Sequence, residues 1–446
     1  MFSGVLQLSF APLYPLLGQK FQVDVATLSW ALIVFTLAGV LSTPLFAKLG
    51  DVYGHLRVLR VEVGLVALGC TLIAVAPNFT VLVIGRFLQG TFPAFLPLMF
   101  GLVRSRFETG HTNRAIAYLS SILLFGTLLG AVLTGVLVQA AGGPEWALWL
   151  PAFGTIIGFG LLWLCRAGST AHLRMRVDWL GALLLGVGLT ALLVGIEQGH
   201  HWGWISAVVL ACLVAGILII VGWVVVELRA ADPVADLRFL FRPRLLPIYI
   251  VGITIYFGDV GGQVTLSTYL SLPQDELGYG LGLDAFEISV VFIPMRAAAA
   301  RMAMLTARLG RTFGFRWAMA AGAAMAALGA LGYPVFHTTA TGFVTCAVIF
   351  LAGFGLIEGS TRTLVVGNLR HWETSMGQGI YEMCAVIGGA IGAATLGAIL
   401  GANTAAGSNV PTEHGYMLAW SSVAALALVA TIVAVIYAAA GAARTW

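Results

Sequence analysis

Apolar segments of 16 to 27 residues make up most of this sequence and alternate with short polar loops. An α-helix needs about 20 predominantly apolar residues to cross the hydrocarbon core of a bilayer. Only 9% of the residues are charged, whereas soluble globular proteins average about 25%. We therefore predict an all-α integral membrane protein. Its fourteen predicted spans cover residues 2–17, 28–49, 58–77, 80–103, 115–139, 146–165, 179–196, 203–226, 245–271, 286–306, 317–335, 341–362, 378–402 and 416–441.

The basic residues indicate how these spans are oriented, because Lys and Arg are retained in cytoplasmic loops. The loops after even-numbered spans, with the helix ends beside them and the C-terminus, carry 20 of the 23 basic residues, whereas the loops after odd-numbered spans carry only Lys20. If the assignment had one span too many or too few, the basic loops would no longer alternate with the other loops in this way. The alternation predicts fourteen crossings of the plasma membrane with both termini in the cytoplasm.

Two short polar turns, residues 49–57 and 309–316, repeat one pattern: Leu-Gly, an aromatic residue three places after that glycine, a second glycine and a nearby arginine. Such an internal repeat indicates two related halves. The copies follow spans 2 and 10, so with six spans in each half two extra spans lie between the halves. The predicted 6+2+6 arrangement has a six-helix bundle at 1–165, two linker spans with a cytoplasmic loop at 166–244, and a second bundle at 245–446.

Five stretches, in order along nearly the whole chain, carry recognisable motifs: Gly50–Arg57, Ile84–Gly90, Val177–Gly181, Leu281–Pro294 and Gly377–Gly392. Together they resemble the major facilitator superfamily and, within it, the fourteen-span drug:proton antiporter branch. The resemblance implies a transporter with two six-helix bundles, and a substrate cavity between them near the bilayer midplane that opens alternately to each side.

The sequence departs from that family's pattern in three regions. Val52, His55 and Leu56 stand where the gate motif commonly carries basic residues. The fifth span lacks the Gly-Pro pair associated with antiporters, and the first span lacks an acidic residue near its start. Uptake and facilitated diffusion therefore stay open beside export.

Ionisable side chains inside the spans are the candidate functional residues, because a charge at the centre of a spanning helix costs roughly 2.5 to 3.5 kcal/mol. In the ninth span Tyr256, Asp259, Gln263 and Ser267 recur at helical spacing and predict one polar stripe facing a water-filled cavity. Asp259 could carry a proton there, or it could be permanently ionised and held by a buried arginine. Arg296 is the candidate partner, and could alternatively bind a substrate anion.

Three further charged residues are candidates. Glu382 lies on a glycine-rich part of the thirteenth span that lets another helix pack closely, and is predicted to line the cytoplasmic entrance. Glu358 stands four residues before Arg362, which favours a structural ion pair over a functional site. Arg86 matches the fourth-span arginine motif, for which the resemblance implies proton coupling. Its alternative is an arginine that extends toward the lipid headgroups.

The first polar turn is predicted to be a cytoplasmic gate formed by Gly50, Asp51, Gly54 and Arg57. The glycines let helix ends turn sharply and approach closely. Asp51 could bind another helix's N-terminus in one conformation and release it in the other, an interaction worth about 0.3 to 1 kcal/mol. The alternative is a solvated loop.

Other kinds of site have little support in the sequence. Glu197, His200 and His201 are predicted to lie in an outer loop among interfacial tryptophans, and adjacent histidines point in different directions, so we predict no metal site. No phosphate-binding Gly-x-x-x-x-Gly-Lys loop or catalytic triad pattern is present. We predict no enzyme activity, no cofactor and no nucleic-acid partner.

The predicted function is secondary active transport, in the form of proton-coupled export of a lipophilic or amphipathic small molecule. The cavity is also expected to include aromatic residues and few polar groups, which favours such a substrate. These aromatic candidates are Phe10, Tyr14, Phe92, Phe125, Tyr256, Phe292 and Phe354. The predicted partners are that substrate, protons and the lipid bilayer, with the protein acting as a monomer. The alternatives are an uptake symporter or facilitative carrier and, more remotely, a membrane sensor that does not transport.

Overall fold

The computed structural model describes residues 9–95, 97–99, 102, 126, 129–130, 132–141, 144–164, 178–230, 237–238, 240–369, 374–404 and 410–442. Within these residues the chain is helical, and the only extended pairing is an isolated bridge between Thr404 and Pro411. The prediction of an all-α chain is confirmed. The helices are α1 (Tyr14–Phe21), α2 (Val25–Tyr53), α3 (His55–Ala74), α4 (Phe79–Gln89), α5 (Val132–Ala141), α6 (Glu145–Leu164), α7 (Trp179–Trp202), α8 (Ala207–Arg229), α9 (Leu246–Asp259), α10 (Gln263–Ser271), α11 (Gln274–Leu277), α12 (Ala285–Phe313), α13 (Phe315–Phe336), α14 (Ala340–Gly367), α15 (Thr374–Ala402) and α16 (Glu413–Ala442).

Ten helices in the described part of the chain are long and apolar enough to cross a membrane. Residues 2–8 of the predicted span 2–17 and most of the span 115–139 lie outside the described residues, and the described helices of the predicted spans 58–77 and 245–271 are not among the ten. The count of fourteen and the 6+2+6 arrangement therefore stay predictions. Helix α7 runs to Trp202. The sequence Glu-Gln-Gly-His-His that begins at Glu197 is therefore the last part of a helix, and its prediction as a loop was wrong.

The ninth predicted span, 245–271, is not one helix but two, α9 and α10, which are interrupted at residues 260–262. The backbone N–H groups of Val260 and Gly261 both donate to the carbonyl of Tyr256, at 3.0 and 3.3 Å, so the helical register slips by one residue. A Cβ at Gly261 would lie 2.6 Å from the Cα of Gly392 on α15. Glycine therefore permits both the slipped register and the close approach of the neighbouring helix.

The described chain forms two compact units. Unit 1 comprises residues 1–22 and 30–237, and unit 2 comprises residues 23–29 and 238–446. In unit 1, α3 packs on α4 and α6, and α7 packs on α8. In unit 2, α14 packs on α12 and α13, while α9 packs on α15 and α16. The domain boundaries at 165 and 244 stay predictions.

The two copies of the repeated turn have the same backbone form. Helices α2 and α12 both contain 29 residues and end at the aromatic residue of the motif, Tyr53 and Phe313. The next residue is Gly54 with φ of 97° or Gly314 with φ of 86°, and α3 or α13 begins directly after it. This backbone conformation is open to glycine at little steric cost.

Candidate functional site

Unit 2 contains a cavity of about 40 Å³ beside the break between α9 and α10. This volume has room for a few water molecules, since one needs roughly 10 to 15 Å³. Polar groups of Asp259, Gln263 and Arg296 line it. Its aromatic walls come from Phe292, Tyr333, Phe350 and Trp420.

Asp259 and Arg296 form a two-point ion pair at this cavity. Arg296 Nη2 lies 3.1 Å from Asp259 Oδ1, and Nη1 donates to Oδ2 at 3.3 Å. The side chains are only 7% and 15% exposed, so water weakens their attraction little. Arg296 Nε is buried and has no acceptor in the part of the chain that the structure describes. One donor of the Arg296 guanidinium is therefore left unused by the described residues.

A second charged cluster joins α14 and α15. Arg362 lies 2.9 Å from Glu358 on its own helix and 2.5 Å from Glu382 on α15. The Tyr381 hydroxyl donates to Glu358 at 2.8 Å, and the Thr361 hydroxyl donates to Tyr381 at 3.0 Å. One guanidinium thus serves two carboxylates, and the trio has a net charge of about −1 when both acids are ionised. One bound proton makes it neutral.

The predicted stripe along the ninth span is divided by the helix break. Asp259 and Gln263 line the cavity, whereas the ring of Tyr256 packs against Phe354 of α14 at 5.3 Å. Tyr256 lies within electrostatic range of Glu358 and Glu382. A single continuous stripe is therefore wrong, because it assumed an unbroken helix, and Tyr256 accompanies the second cluster.

Arg86 of α4 is held inside unit 1 by neutral groups. Its Nε donates to the carbonyl of Ala31 at 3.0 Å, Nη1 to Oε1 of Gln89 at 2.5 Å, and Nη2 to the Tyr14 hydroxyl at 3.3 Å. The residue is 2% exposed. The alternative of an arginine extending to the headgroups is therefore wrong, because the side chain has its partners in the bundle.

Aromatic rings complete the surroundings of Arg86. Its guanidinium lies 4.3 Å from the ring centroid of Phe10 and 4.2 Å from that of Phe35. Such cation–π contacts are worth about 2 kcal/mol or more when the cation is desolvated. The described surroundings of Arg86 stabilise a cation without supplying a carboxylate.

The predicted gate residues lie around the end of α2. A Cβ at Gly50 would stand 2.6 Å from Cδ2 of Leu98, so glycine allows the chain to pack closely there. Gly54 separates α2 from α3, and Arg57 is exposed in the first turn of α3. The side chain of Asp51 lies outside the described residues. The gate function stays a prediction.

The arrangement of long apolar helices, a repeated glycine turn and buried charges can be compared with known proteins. The sequence profile described as "Major Facilitator Superfamily" matches residues 1–176 and 179–393. The chain belongs to the major facilitator superfamily. It is therefore a multi-pass membrane transport protein rather than an enzyme.

Relatives of this superfamily member include exporters and resistance proteins. It is 25% identical over 395 residues to the tetracenomycin C resistance and export protein of Streptomyces glaucescens, covering 86% of this chain and 71% of that protein. It is 28% identical over 393 residues to the multidrug resistance protein Stp of Mycobacterium tuberculosis, covering 87% and 71%. It is 27% identical over 394 residues to the probable actinorhodin transporter of Streptomyces coelicolor, covering 84% and 66%.

Solved structures with the same fold include a POT family peptide transporter in an auto-inhibited state and the nucleoside transporter NupG. The first aligns with a TM-score of 0.68 at 14% identity, over 98% of this chain and 95% of that one. NupG aligns with a TM-score of 0.65 at 11% identity, over 98% and 97%. At these identities the likeness shows the fold alone.

Some residues of these sites have weak or no sequence signals. Gln89 could have been found, since it stands three residues after Arg86 on the same helix. Arg362 was expected to pair only with Glu358, and its contact with Glu382 depends on how α14 and α15 pack. Tyr381 joins the cluster for the same reason.

Proposed function

We propose that this protein exports a lipophilic or amphipathic small molecule by alternating access and uses the inward flow of protons to drive export. The observation that carries the proposal is the Asp259–Arg296 ion pair at an aromatic cavity beside a broken helix. Transporters commonly place coupling groups and substrate at discontinuous helices. Relatives whose names include export and multidrug resistance support the direction and the kind of substrate.

The Asp259–Arg296 pair can link protonation to conformation. A proton on Asp259 removes its negative charge and with it most of the attraction to Arg296. The contact between α9 and α12 then loses its main electrostatic component, which favours a conformation in which these helices separate. By linkage, the conformation that separates them binds the proton more tightly.

The Glu358–Arg362–Glu382 cluster is proposed as a second proton-binding site. Arg362 cannot neutralise both glutamates, so one of them can accept a proton while the other keeps its ion pair. Glu382 lies on α15 and Glu358 on α14. Protonation of Glu382 would therefore weaken the contact between two helices, whereas protonation of Glu358 would weaken a contact within one.

The proposal is tested in liposomes that contain the purified protein, a fluorescent lipophilic dye and an imposed pH gradient. We expect gradient-driven dye movement in the wild type, and loss of that movement with retained downhill exchange in Asp259→Asn. Asp275→Asn is the matched control, because Asp275 is exposed on the short helix α11. Gradient-driven flux that survives in both Asp259→Asn and Glu382→Gln would contradict the proposal.

Uptake or facilitated diffusion is the second candidate, and the missing Gly-Pro pair of the fifth span favours it. Reversing the pH gradient separates the modes. An antiporter moves dye against the proton flow, a symporter moves dye with it, and a facilitative carrier ignores it.

We also propose that fourteen spans in the 6+2+6 arrangement cross the plasma membrane in a monomer with both termini in the cytoplasm. The concentration of basic residues in the loops after even-numbered spans supports this topology. A protease-cleavable tag on each terminus, probed in intact cells and in inverted vesicles, tests it. Cleavage in intact cells would contradict it.

A further inference from the structure

Helix α3 carries a carboxyl group in the interior of unit 1. Glu62 is 0% exposed, and both carboxyl oxygens are buried without a hydrogen-bond partner among the described residues. At 1.5 Å per residue, Glu62 lies about 10 Å along the helix axis from His55, the first residue of α3. It therefore lies well inside the helix.

The side chains on the same face of α3 are apolar. Leu59, one turn before Glu62, belongs to a buried cluster with Leu98. Val66, one turn after it, belongs to a second cluster with Phe92. The partly buried ring of Phe95 packs against both clusters. Glu62 thus lies between two parts of the apolar core of unit 1.

Several charged groups lie on α3 and on the helices that pack against it. The titratable groups of α3 and of the described elements that pack on it are Lys48, Tyr53, His55, Arg57, Arg60, Cys70, Arg86 and Glu145. Lys48 has a contact of its own, and Tyr53 is exposed. Arg60 Nε donates to the carbonyl of Leu162 at 3.2 Å, and its guanidinium lies 4.8 Å from the Trp163 ring. Glu145 pairs with Lys20 at 2.9 Å. Arg86 is surrounded by the neutral groups described above.

These surroundings determine the charge of Glu62. An ionised carboxylate without a partner in a protein interior costs several kcal/mol after relaxation, whereas a neutral carboxyl group costs far less. Because the described residues give Glu62 no partner, the neutral carboxylic acid is the form that these surroundings favour. Arg57, exposed in the first turn of α3, leaves the water-facing end of the same helix positively charged.

We propose that Glu62 is a proton-carrying residue of the transport cycle, located in unit 1 and separate from both charged clusters of unit 2. It holds its proton in the conformation described. When the helices around α3 rearrange and admit water, the O–H bond breaks, the proton passes to water and hydration stabilises the carboxylate. This inference rests on the proposed proton-coupled transport and adds one proton to the number moved per substrate molecule.

Infrared difference spectroscopy of the reconstituted protein tests the protonation directly. A neutral carboxylic acid has a C=O stretching band that a carboxylate lacks. We expect Glu62→Gln to remove one acid band present at neutral pH and Glu62→Asp to retain a shifted one. Glu276→Gln, at an exposed position of α11, is the control and should remove none. A spectrum unchanged in Glu62→Gln would overturn the inference.

The number of protons moved per dye molecule tests the role in transport. We expect Glu62→Gln to lower that number by one. We expect Glu62→Asp, which retains a carboxyl group, to preserve the number, and this variant keeps the test possible if Glu62→Gln misfolds. A coupled wild type with the same proton count in Glu62→Gln would overturn this inference alone. A wild type that moves dye without any protons would instead contradict the proposed function, whatever the infrared band shows.

Discussion

The buried charged side chains of the two units have different kinds of partners. In unit 2, Arg296 and Arg362 each contact at least one carboxylate. In unit 1, the described partners of Arg86 are a backbone carbonyl, an amide, a hydroxyl and two aromatic rings. Glu62, one of the buried acids of unit 1, lies on a face of α3 whose neighbouring side chains, Leu59 and Val66, are apolar. The arginines Arg296 and Arg362 of unit 2 therefore pair with carboxylates, whereas Arg86 of unit 1 is stabilised by neutral groups and Glu62 has no hydrogen-bond partner among the described residues.

This difference indicates what protonation does in each unit. A proton that binds Asp259 or Glu382 weakens an ion pair between two helices, so its free energy acts directly on helix contacts. A proton that leaves Glu62 breaks no such pair, and its free energy acts through the admission of water. Arg86 carries a permanent charge, because an arginine keeps its proton in proteins. The following substitutions test the comparison.

The largest effect is expected from Arg296→Met, because it leaves the buried carboxylate of Asp259 without its cation. Removing one partner of a buried ion pair costs about 3 to 5 kcal/mol. The thermal unfolding temperature in detergent should fall accordingly. Adding Asp259→Asn should recover much of the loss, since the stranded charge is then gone. Arg301→Met, exposed on the same helix, is the control. A double variant no more stable than Arg296→Met would show that the pair contributes little.

Arg86→Met should destabilise the protein less, by about 2 kcal/mol, because the lost hydrogen bonds and ring contacts are partly offset by no longer burying a charge, and no ion is left without a partner. It also removes the contacts with Phe10 and Phe35. The control is Arg57→Met, at an exposed position of α3. If Arg86→Met lowers the unfolding temperature as much as Arg296→Met does, the proposed difference between the units is wrong.

The fold was largely predictable because the cost of placing polar groups in a bilayer acts locally on each segment. Apolar length and the distribution of arginines indicated most of the described helices. The break at residues 260–262 was not predicted, because glycines are common in spanning helices and their presence alone does not mark an interruption. The slipped register depends on the close approach of α15.

The candidate sites were less predictable for the same reason. Asp259 and Arg296 could be identified from the sequence because they are charged residues within apolar segments. The contact of Arg362 with Glu382 spans two helices, and it requires the packing of α14 and α15. Glu62 carries almost no signal, because Arg60 two residues earlier makes this part of α3 resemble the charged end of a helix.

A third test concerns the Glu358–Arg362–Glu382 cluster of unit 2, which is partly exposed. Arg362 is 38% exposed, so water screens the two glutamates when the arginine is removed, and Arg362→Met should cost only about 1 to 2 kcal/mol. Glu382→Gln in the same chain should reduce that cost, because one glutamate then remains. Thermal unfolding of the four variants of this cycle measures the coupling. An additive cycle would indicate that Arg362 and Glu382 do not interact in solution.

The smallest effect is expected where the two units are alike, at the repeated turns. Gly54→Ala and Gly314→Ala place a Cβ at a backbone φ of 97° and 86°, and this should cost about 1 kcal/mol each, since alanine disfavours positive φ. Gly379→Ala, where a Cβ would meet open space within helix α15, is the control and should be neutral or slightly stabilising. Unequal losses at the two turns, measured as shifts in unfolding temperature, would mean that the shared backbone form hides different packing. Equal losses would show that the repeated turn is equivalent in both units. The difference between the units would then lie in their buried charges and not in this turn.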